Sequence, residues 1–224
     1  MRIGLITYDR PHLKTEQLLG ALWAQGERKL TLLGLPFQPR PVRPVRFTHR
    51  PDMATGAHPA ELATALGIAW VPLAGPGAIP DGFDVLLVAG AGLLPAEVVQ
   101  RVPVVNAHPG LIPAVRGLDS FKWAILDDMP LGNTLHLLDE AVDAGQHLAT
   151  LRTPVLSSDT IESLARRHYQ LEIALLAAFR RYLASPEPPP ADLPERPASR
   201  RMPAELEERM LAHFPAYKAR FATR

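Results

Sequence analysis

Short apolar runs alternate with segments of helical spacing along the first half of the chain, and this alternation limits the fold more than any other feature. Ile3 to Thr7 predicts a buried strand, and Thr15 to Ala24 follows with leucines three and four residues apart. Further strands are predicted at Leu30 to Leu35, Ala69 to Leu73, Val85 to Val88 and Val102 to Val105, and further helices at Ala60 to Leu66 and Asp119 to Leu126. Because strands that alternate with helices form parallel sheets, we expect an α/β fold with a Rossmann-like, mostly parallel sheet flanked by helices.

The second half of the chain predicts two more strands and a long helix. Asn133 to Leu138 and His147 to Pro154 have strand character, and the short connection between them favours an antiparallel pair. Apolar residues then recur three and four apart from Thr160 to Leu183, which predicts a helix that packs on the sheet. Asp159 and Glu162 form the expected capping pair at its start.

The last forty residues have a different composition. Ser185 to Pro197 is rich in proline, which excludes helix and central strand and predicts a stiff linker. A short helix is expected at Ala204 to Ala212. We therefore divide the chain into a catalytic domain over residues 1–184 and an appendage over residues 185–224, which is a surface strap or a contact of a homodimer.

Composition excludes several classes of protein. The 224 residues contain no cysteine, so disulfides, thiolate metal sites and cysteine nucleophiles are ruled out. A formal net charge of +1 does not indicate a nucleic-acid binder. The sequence has no signal peptide and no apolar stretch long enough to cross a bilayer, so we expect a cytoplasmic protein that does not bind membranes.

Asn106 and His108 follow directly after the predicted strand Val102 to Val105. In open α/β sheets ligands bind beyond the carboxyl ends of the strands, so both residues are candidates for a site. Asparagine can donate to a developing oxyanion and histidine can move a proton, which are the two functions that acyl transfer requires. Asp143, in a turn after the next strand, is suited to orient the imidazole.

Three motifs resemble the formyltransferases that include glycinamide ribonucleotide transformylase, methionyl-tRNA formyltransferase and the sugar N-formyltransferases. They are VLLVAGAGLLP from Val85, NAHPGLIPAVRGLDSFKWAI from Asn106 and HLLDEAVDAG from His136, and the likeness covers about Asp84 to Leu183. It implies the formyltransferase fold, 10-formyltetrahydrofolate as co-substrate and an amine as acceptor. By the same likeness the catalytic residues are Asn106, His108 and Asp143, and the pterin is expected to contact Gly92, Leu93, Leu94, Glu140, Ala141 and Val142.

The sequence also departs from these relatives. Gly110 replaces a serine that is common in the family, although that serine is not one of the three catalytic residues. No glycine-rich phosphate loop follows the first strand, so glycinamide ribonucleotide is not expected as acceptor. Because only about forty proline-rich residues follow Leu183, we do not expect the second domain of methionyl-tRNA formyltransferase or an initiator tRNA as acceptor, and we do not expect the regulatory domain of the formyltetrahydrofolate hydrolases.

The acceptor that remains is a small amine, with amino sugars, sugar nucleotides and amino nonulosonic acids as the nearest class. TYDRPHLKTEQLL, HRP and VRGLDSFKWAI are similar to a subgroup from nonulosonic-acid pathways. An acid or phosphate on such a sugar suits the arginine-rich segment Pro39 to Pro51, because guanidinium groups bind these anions bidentately. The expected substrate-binding residues are Tyr8, His12, Lys14, Arg43, Arg46, His49, Arg50, Arg116 and Asp119.

Several alternatives remain open from the sequence. Arg116 and Asp119 are explained equally well by a surface salt bridge and a helix cap, and the basic segment by a solvated edge. His136 and His147 lack the spacing of a metal site, so we expect no metal. The rival functions are a 10-formyltetrahydrofolate hydrolase and a catalytically silent folate-binding protein. A dinucleotide-dependent enzyme is disfavoured because no GxGxxG follows a predicted strand.

Overall fold

A computed structural model describes residues 1–39, 41, 43–139 and 145–223. Its strands are β1 (Ile3–Tyr8), β2 (Leu30–Leu35), β3 (Ala69–Pro72), β4 (Val85–Val88), β5 (Val104–His108), β6 (Gly132–Leu137), β7 (His147–Arg152), β8 (Val155–Leu156) and β9 (Ala222–Thr223). Its α-helices are α1 (Leu13–Ala24), α2 (Pro59–Leu66), α3 (Ala96–Arg101), α4 (Ser120–Leu126), α5 (Ile161–Ala177), α6 (Phe179–Ala184) and α7 (Ala204–Phe221). Short 3₁₀ turns lie at Met53–Thr55 and Pro76–Ala78.

Seven strands form the main sheet in the order β3-β2-β1-β4-β5-β6-β7. The first five strands of this order are parallel, whereas β6 is antiparallel to β5 and to β7. The predicted α/β class, the mostly parallel sheet and the antiparallel last pair are confirmed. The strand order reverses between β1 and β4, and such a reversal opens a crevice at the carboxyl ends of the strands.

Successive side chains of each strand point to opposite faces of the sheet, and both faces are buried. In β1, Ile3 and Leu5 pack into a cluster with leucines of α1 and α5, whereas Ile6 packs into a second cluster with Val98 of α3. Burial on both faces explains why the strands are almost continuously apolar. The helix α3 was not predicted, because its six residues are too few to show a helical period.

The C-terminal helix is longer than the sequence predicted. The helix expected at Ala204 to Ala212 is present and begins at Ala204, but its predicted end is wrong, because α7 continues to Phe221 and includes Pro215. Its apolar residues recur with helical spacing beyond Ala212, and Met210, Phe214 and Tyr217 pack with Phe121 of α4 in a third buried cluster. That burial compensates for the hydrogen bond that Pro215 cannot make. The division of domains at residue 184 stays a prediction.

The N-terminus of α5 differs from the prediction in one detail. Thr160 caps the helix and forms a capping box with Ser163, so the pair Asp159 and Glu162 is wrong. Asp159 instead accepts two hydrogen bonds from Arg167. This pairing is the main reason why the pKa of the Asp159 carboxyl is lowered to about 2. No helix in the described part of the chain is long and apolar enough to cross a membrane.

Candidate active site

The carboxyl ends of β1, β4 and β5 meet at one edge of the sheet, because β4 pairs in parallel with both neighbours. Gly90, just after β4, lies so close to β1 that a Cβ atom would meet the Tyr8 ring and His12 Cε1 at 2.9 Å. Tyr8 and His12 therefore flank the end of β4. The strand predicted at Val102 to Val105 begins and ends later than expected, so Asn106 and His108 do not follow β5 but lie in its carboxyl-terminal half, with His108 as its last residue. Their role in a ligand crevice stays a prediction.

Asn106 is oriented by a residue of the neighbouring strand. Asn106 Nδ2 lies 3.2 Å from His136 Nε2, and the two residues are directly opposite each other in the antiparallel β5–β6 pair. Because an amide nitrogen only donates, His136 Nε2 accepts this hydrogen bond and therefore carries no proton. His136 is buried, so it holds the amide plane of Asn106 in a fixed orientation.

His108 is held by the loop between β5 and α4. Its Nε2 lies 3.0 Å from the carbonyl oxygen of Val115 and 3.2 Å from Ser120 Oγ. A carbonyl only accepts, so Nε2 carries a proton and the lone pair of the neutral ring lies on Nδ1. His108 is thus a buried imidazole of defined tautomer.

Gly110 is required by this arrangement. A Cβ atom at residue 110 would lie 2.3 Å from the Val115 carbonyl oxygen and 2.8 Å from His108 Nε2. The departure from the serine of the relatives therefore has a structural reason, because the loop carries Val115 against residue 110 so that the carbonyl reaches His108.

Part of the predicted site lies outside the described residues. This applies to Glu140, Ala141, Val142 and Asp143, and also to Arg40 of the basic segment. The catalytic role of Asp143 and the pterin contacts of its loop stay predictions.

The loop after β4 offers a surface that fits a flat ring. Leu93 is 81% exposed, and no atom lies within 4 Å of a Cβ placed on Gly92. Leu94 packs against the apolar cluster under α3 and anchors the loop. An exposed apolar side chain beside the open backbone of Gly92 suits the face of a pterin and hydrogen bonds to its edge, so these residues fit the implied co-substrate.

His12 and Lys14 lie at the start of α1 next to a buried carboxylate. Lys14 Nζ donates to Glu172 Oε1 at 2.6 Å, and Arg50 Nη2 donates to Glu172 Oε2 at 2.7 Å. Glu172 is 1% exposed; burial alone would raise its pKa, but the charges of Arg50 and Lys14 lower it to about 2. Burial and the charge of Lys14 lower the pKa of His12 to about 4. Lys14 and Arg50 are thus ion-paired, and their substrate contacts stay predictions.

His49, Phe121 and His168 form a row of rings. His49 stacks on Phe121 with centroids 5.8 Å apart, and Phe121 lies 5.4 Å from His168. His168 Nε2 donates to the Pro109 carbonyl at 3.3 Å, so the row runs from the basic segment to the residue after His108. Burial, reinforced by Arg50, lowers the pKa of His49 to about 2.

The first part of the basic segment is held against the C-terminal helix. Glu207 of α7 is 0% exposed and accepts from Lys122 Nζ at 2.7 Å and from the backbone nitrogen of Arg46 at 2.6 Å. Arg43 donates to Asp119 at 2.9 Å, and the Arg46 side chain pairs with Glu208. These contacts give both arginines a structural role beside the predicted one.

Asp119 does not act as the helix cap that the sequence offered as an explanation. It occupies the residue before α4 with φ of 54°, and its side chain makes no capping hydrogen bond. The carboxylate instead accepts from Arg43 and from the backbone nitrogen of Met202. The neighbouring Gly117 (φ 84°) lies against Ser199, whose nitrogen donates to the Arg116 carbonyl at 2.9 Å.

Sequence reasoning missed four residues at or near the site. His136 was considered only as a metal ligand and rejected in that role, and Ser120, Glu172 and Glu207 were not considered. Only the antiparallel register of β5 and β6 brings His136 to Asn106. Over the described ranges, no three histidine, aspartate or glutamate side chains are grouped so that they could hold a metal ion.

Comparison with known proteins adds an independent observation. Residues 81–179 match the family model for formyl transferase. The chain is 39% identical over 95 residues to phosphoribosylglycinamide formyltransferase from Arabidopsis thaliana, covering 38% of this chain and 32% of the relative. It is 33% identical over 97 residues to methionyl-tRNA formyltransferase from Koribacter versatilis, covering 42% and 31%. The chain thus matches about a third of the length of these relatives.

The fold is also similar to solved structures. A sugar N-formyltransferase from Shewanella sp FDAARGOS_354 superposes with a TM-score of 0.59 at 22% identity, covering 88% of this chain and 76% of that chain. At this identity the likeness shows the fold alone, and it extends beyond the segment that matches the family model.

Proposed function

We propose, on the premise that residues 81–179 form a formyl transferase domain, that the protein transfers a formyl group from 10-formyltetrahydrofolate to the amine of a small molecule. The observation that carries the proposal is the pair Asn106 and His108 at the end of β5, inside the matched segment. Each side chain is oriented by its own buried partner, so the donor and the base are preorganised.

Asn106 supplies the oxyanion contact. One of its two amide hydrogens is taken by His136 Nε2, which fixes the plane of the amide. The other N–H donates to the formyl oxygen as negative charge grows there during attack by the amine. In other enzymes the removal of one such donor reduces kcat by about 10²–10³-fold.

His108 moves the proton. Its Nε2–H is fixed on the Val115 carbonyl, so Nδ1 accepts the proton of the attacking amine. In the overall exchange the amine nitrogen bonds to the formyl carbon, the bond from that carbon to folate N10 breaks, and the amine proton passes to N10. Asp143, placed by the resemblance alone, would hold His108 or a water in this relay.

The co-substrate supplies the formyl carbon, and the loop after β4 binds its pterin. Leu93 contacts the ring face and the backbone beside Gly92 reads its polar edge, while Leu94 holds the loop on the sheet. By the resemblance, Glu140, Ala141 and Val142 complete this site.

The acceptor in this proposal is an amino sugar, a sugar nucleotide or an amino nonulosonic acid. Solved structures with the same fold include sugar N-formyltransferases, and Tyr8, the last residue of β1, lies with His12 beside the end of β4. The arginines of the basic segment, among them Arg50, which donates to Glu172 of α5, supply positive charge for an acid or phosphate on the sugar.

A turnover assay tests the proposal. Tetrahydrofolate release is followed with a panel of amino sugars, sugar nucleotides and amino nonulosonic acids, and without acceptor. We expect release that depends on one class of acceptor, and loss of most turnover in Asn106→Asp, His108→Ala and Asp143→Asn. Glu97→Gln, at an exposed position of α3, is the control that keeps full activity. Acceptor-independent release would identify a hydrolase, and folate binding without release would identify a silent binder; either result overturns the proposal.

A further inference from the structure

A cavity of about 370 Å³ lies between α1, α5 and the end of the basic segment. Its walls include Gln17 of α1, Arg50, and four residues of α5, which are Glu162, Arg166, Tyr169 and Gln170. Small-molecule sites in proteins begin at about 300 Å³, so the cavity can hold a compound of monosaccharide size.

Positive charge exceeds negative charge around this cavity. Lys14 and Arg50 share the single buried carboxylate of Glu172, which leaves one cation uncompensated in that triad. At the rim, Arg166 and Glu162 add one charge of each sign. An anionic ligand would therefore enter a site with a net positive charge.

Two polar groups in the walls have no partner among the residues that the structure describes. Arg166 is exposed and makes no hydrogen bond or ion pair within the described ranges. The hydroxyl of Tyr169 is buried and has no hydrogen-bond partner among the described residues. A buried hydroxyl without a partner is costly, so a ligand or a water that satisfied it would be stabilised. Arg43 and Arg46, by contrast, are already bound by Asp119 and Glu208.

We infer that this cavity binds the carboxylate or phosphate of a small polyhydroxylated molecule, with Arg166 and Arg50 as the cationic contacts and Tyr169 as a hydrogen-bond donor. Glutamine side chains of α1 and α5 suit the hydroxyl groups of the same ligand. The site extends the predicted anion-binding role of Arg50 to residues of α5 that the sequence did not single out.

The cavity is separate from the carboxyl end of β5. Its described walls include no residue of β5. His49, which lines the cavity, is connected to Pro109 through the rings of Phe121 and His168. Ligand binding can therefore be measured without formyl transfer, and its failure would leave the proposed roles of Asn106 and His108 in formyl transfer untouched.

Isothermal titration calorimetry on the full chain tests the inference with four probes, which are inorganic phosphate, glucose 6-phosphate, glucuronate and, as the neutral reference, glucose. We expect at least one anion to bind, and glucose not to bind. Arg166→Gln is expected to weaken binding about tenfold and Tyr169→Phe about threefold, since they remove a charge-assisted and a neutral hydrogen bond. Arg209→Gln, an exposed arginine of α7, is the matched control and should bind as the wild type does.

The probes also separate the two sources of the anion. Binding of glucose 6-phosphate alone assigns the site to phosphorylated sugars, and binding of glucuronate alone assigns it to sugar acids. The inference is overturned if no anion binds, if glucose binds as well as the anions, or if Arg166→Gln and Arg209→Gln bind them equally well. Circular dichroism establishes that each variant is folded.

Discussion

Glu172 and Glu207 are two buried carboxylates on different helices, and each accepts hydrogen bonds from cations of distant segments. Glu172 of α5 binds Lys14 and Arg50, whereas Glu207 of α7 binds Lys122 and the backbone of the basic segment. Both therefore hold the same basic segment, one at each end. They differ in what lies beside them.

Both oxygens of the Glu207 carboxylate are bound by other groups of the protein. Its two oxygens accept from Lys122, from the Arg46 and Phe47 nitrogens and, at 3.5 Å, from Arg43. Burial would raise its pKa, but the hydrogen bond from Lys122 and that from the Arg46 nitrogen lower it overall. Glu172 instead lies among side chains that border the cavity, where cations outnumber carboxylates. The comparison teaches that burial of a carboxylate does not by itself point to a ligand site, because the same burial also serves the fold; the inferred anion site depends on the excess positive charge beside the open volume at Glu172.

Removal of the Glu207 carboxylate is expected to have the largest effect on stability. Lys122 is 2% exposed, so Glu207→Ala leaves a buried ammonium unpaired and should lower the free energy of unfolding by about 3–5 kcal/mol. Urea unfolding measures this loss. Glu208→Ala is the control on the same helix, because its exposed pair with Arg46 contributes no more than about 1 kcal/mol. Equal losses in the two variants would contradict the role assigned to Glu207.

Acid should destabilise the region around Glu172, because the buried histidines of that region are neutral in the folded protein. His12 and His168 have pKa values of about 4 and His49 of about 2, chiefly because they are buried, against 6.5 in the unfolded chain. Below pH 6.5 the unfolded chain binds more protons than the folded one, so stability falls as the pH falls toward 4. Each histidine contributes up to about 1.4 kcal/mol per pH unit.

The variant His49→Phe keeps a ring on Phe121 and removes one of these groups. Arg50, Lys122, His168 and Glu172 set the field at His49. Urea unfolding at several pH values should therefore give a shallower fall in stability between pH 6.5 and 4 for the variant. An unchanged slope would show that His49 is not neutral in the folded protein.

The close approach at Gly110 can be tested with a single methyl group. Gly110→Ala should displace the Val115 carbonyl from His108 and cost about 1–3 kcal/mol of stability, together with a loss of turnover. Gly77→Ala is the matched control, because nothing lies within 4 Å of a Cβ there. If both variants retained full turnover, the Val115 contact would not be needed to position His108.

The smallest expected effect distinguishes the two carboxylates by ligand binding. Glu172→Gln removes a negative charge beside the cavity and should raise the affinity for inorganic phosphate about threefold to tenfold, since the repulsion is screened by nearby solvent. Glu207→Gln should leave the affinity unchanged. Calorimetry on both variants would contradict the proposed asymmetry if they shifted phosphate binding equally.

The strands could be predicted because each one is formed by an apolar run that is visible in a short stretch of sequence. The strands β1, β2, β4 and β5 are apolar runs, and the end of β5 placed Asn106 and His108 at the edge where ligands bind. The partners of these residues could not be predicted in the same way. His136 reaches Asn106 only through the register of two strands, and Glu172 meets Lys14 across 158 residues of sequence. Asp119 was explained as a helix cap because its long-range partners Arg43 and Met202 leave no local pattern.

The central claim is that Asn106 and His108 move a formyl group to an amine, and one isotope experiment tests it most directly. The protein is incubated with 10-formyltetrahydrofolate carrying a ¹³C-formyl group and with the acceptor panel, and the products are analysed by mass spectrometry. The account predicts a ¹³C-formyl amide on one class of amino sugar, with yield lost in Asn106→Asp and His108→Ala. Label recovered only as ¹³C-formate, or equal amide yields in the wild type and both variants, would contradict it.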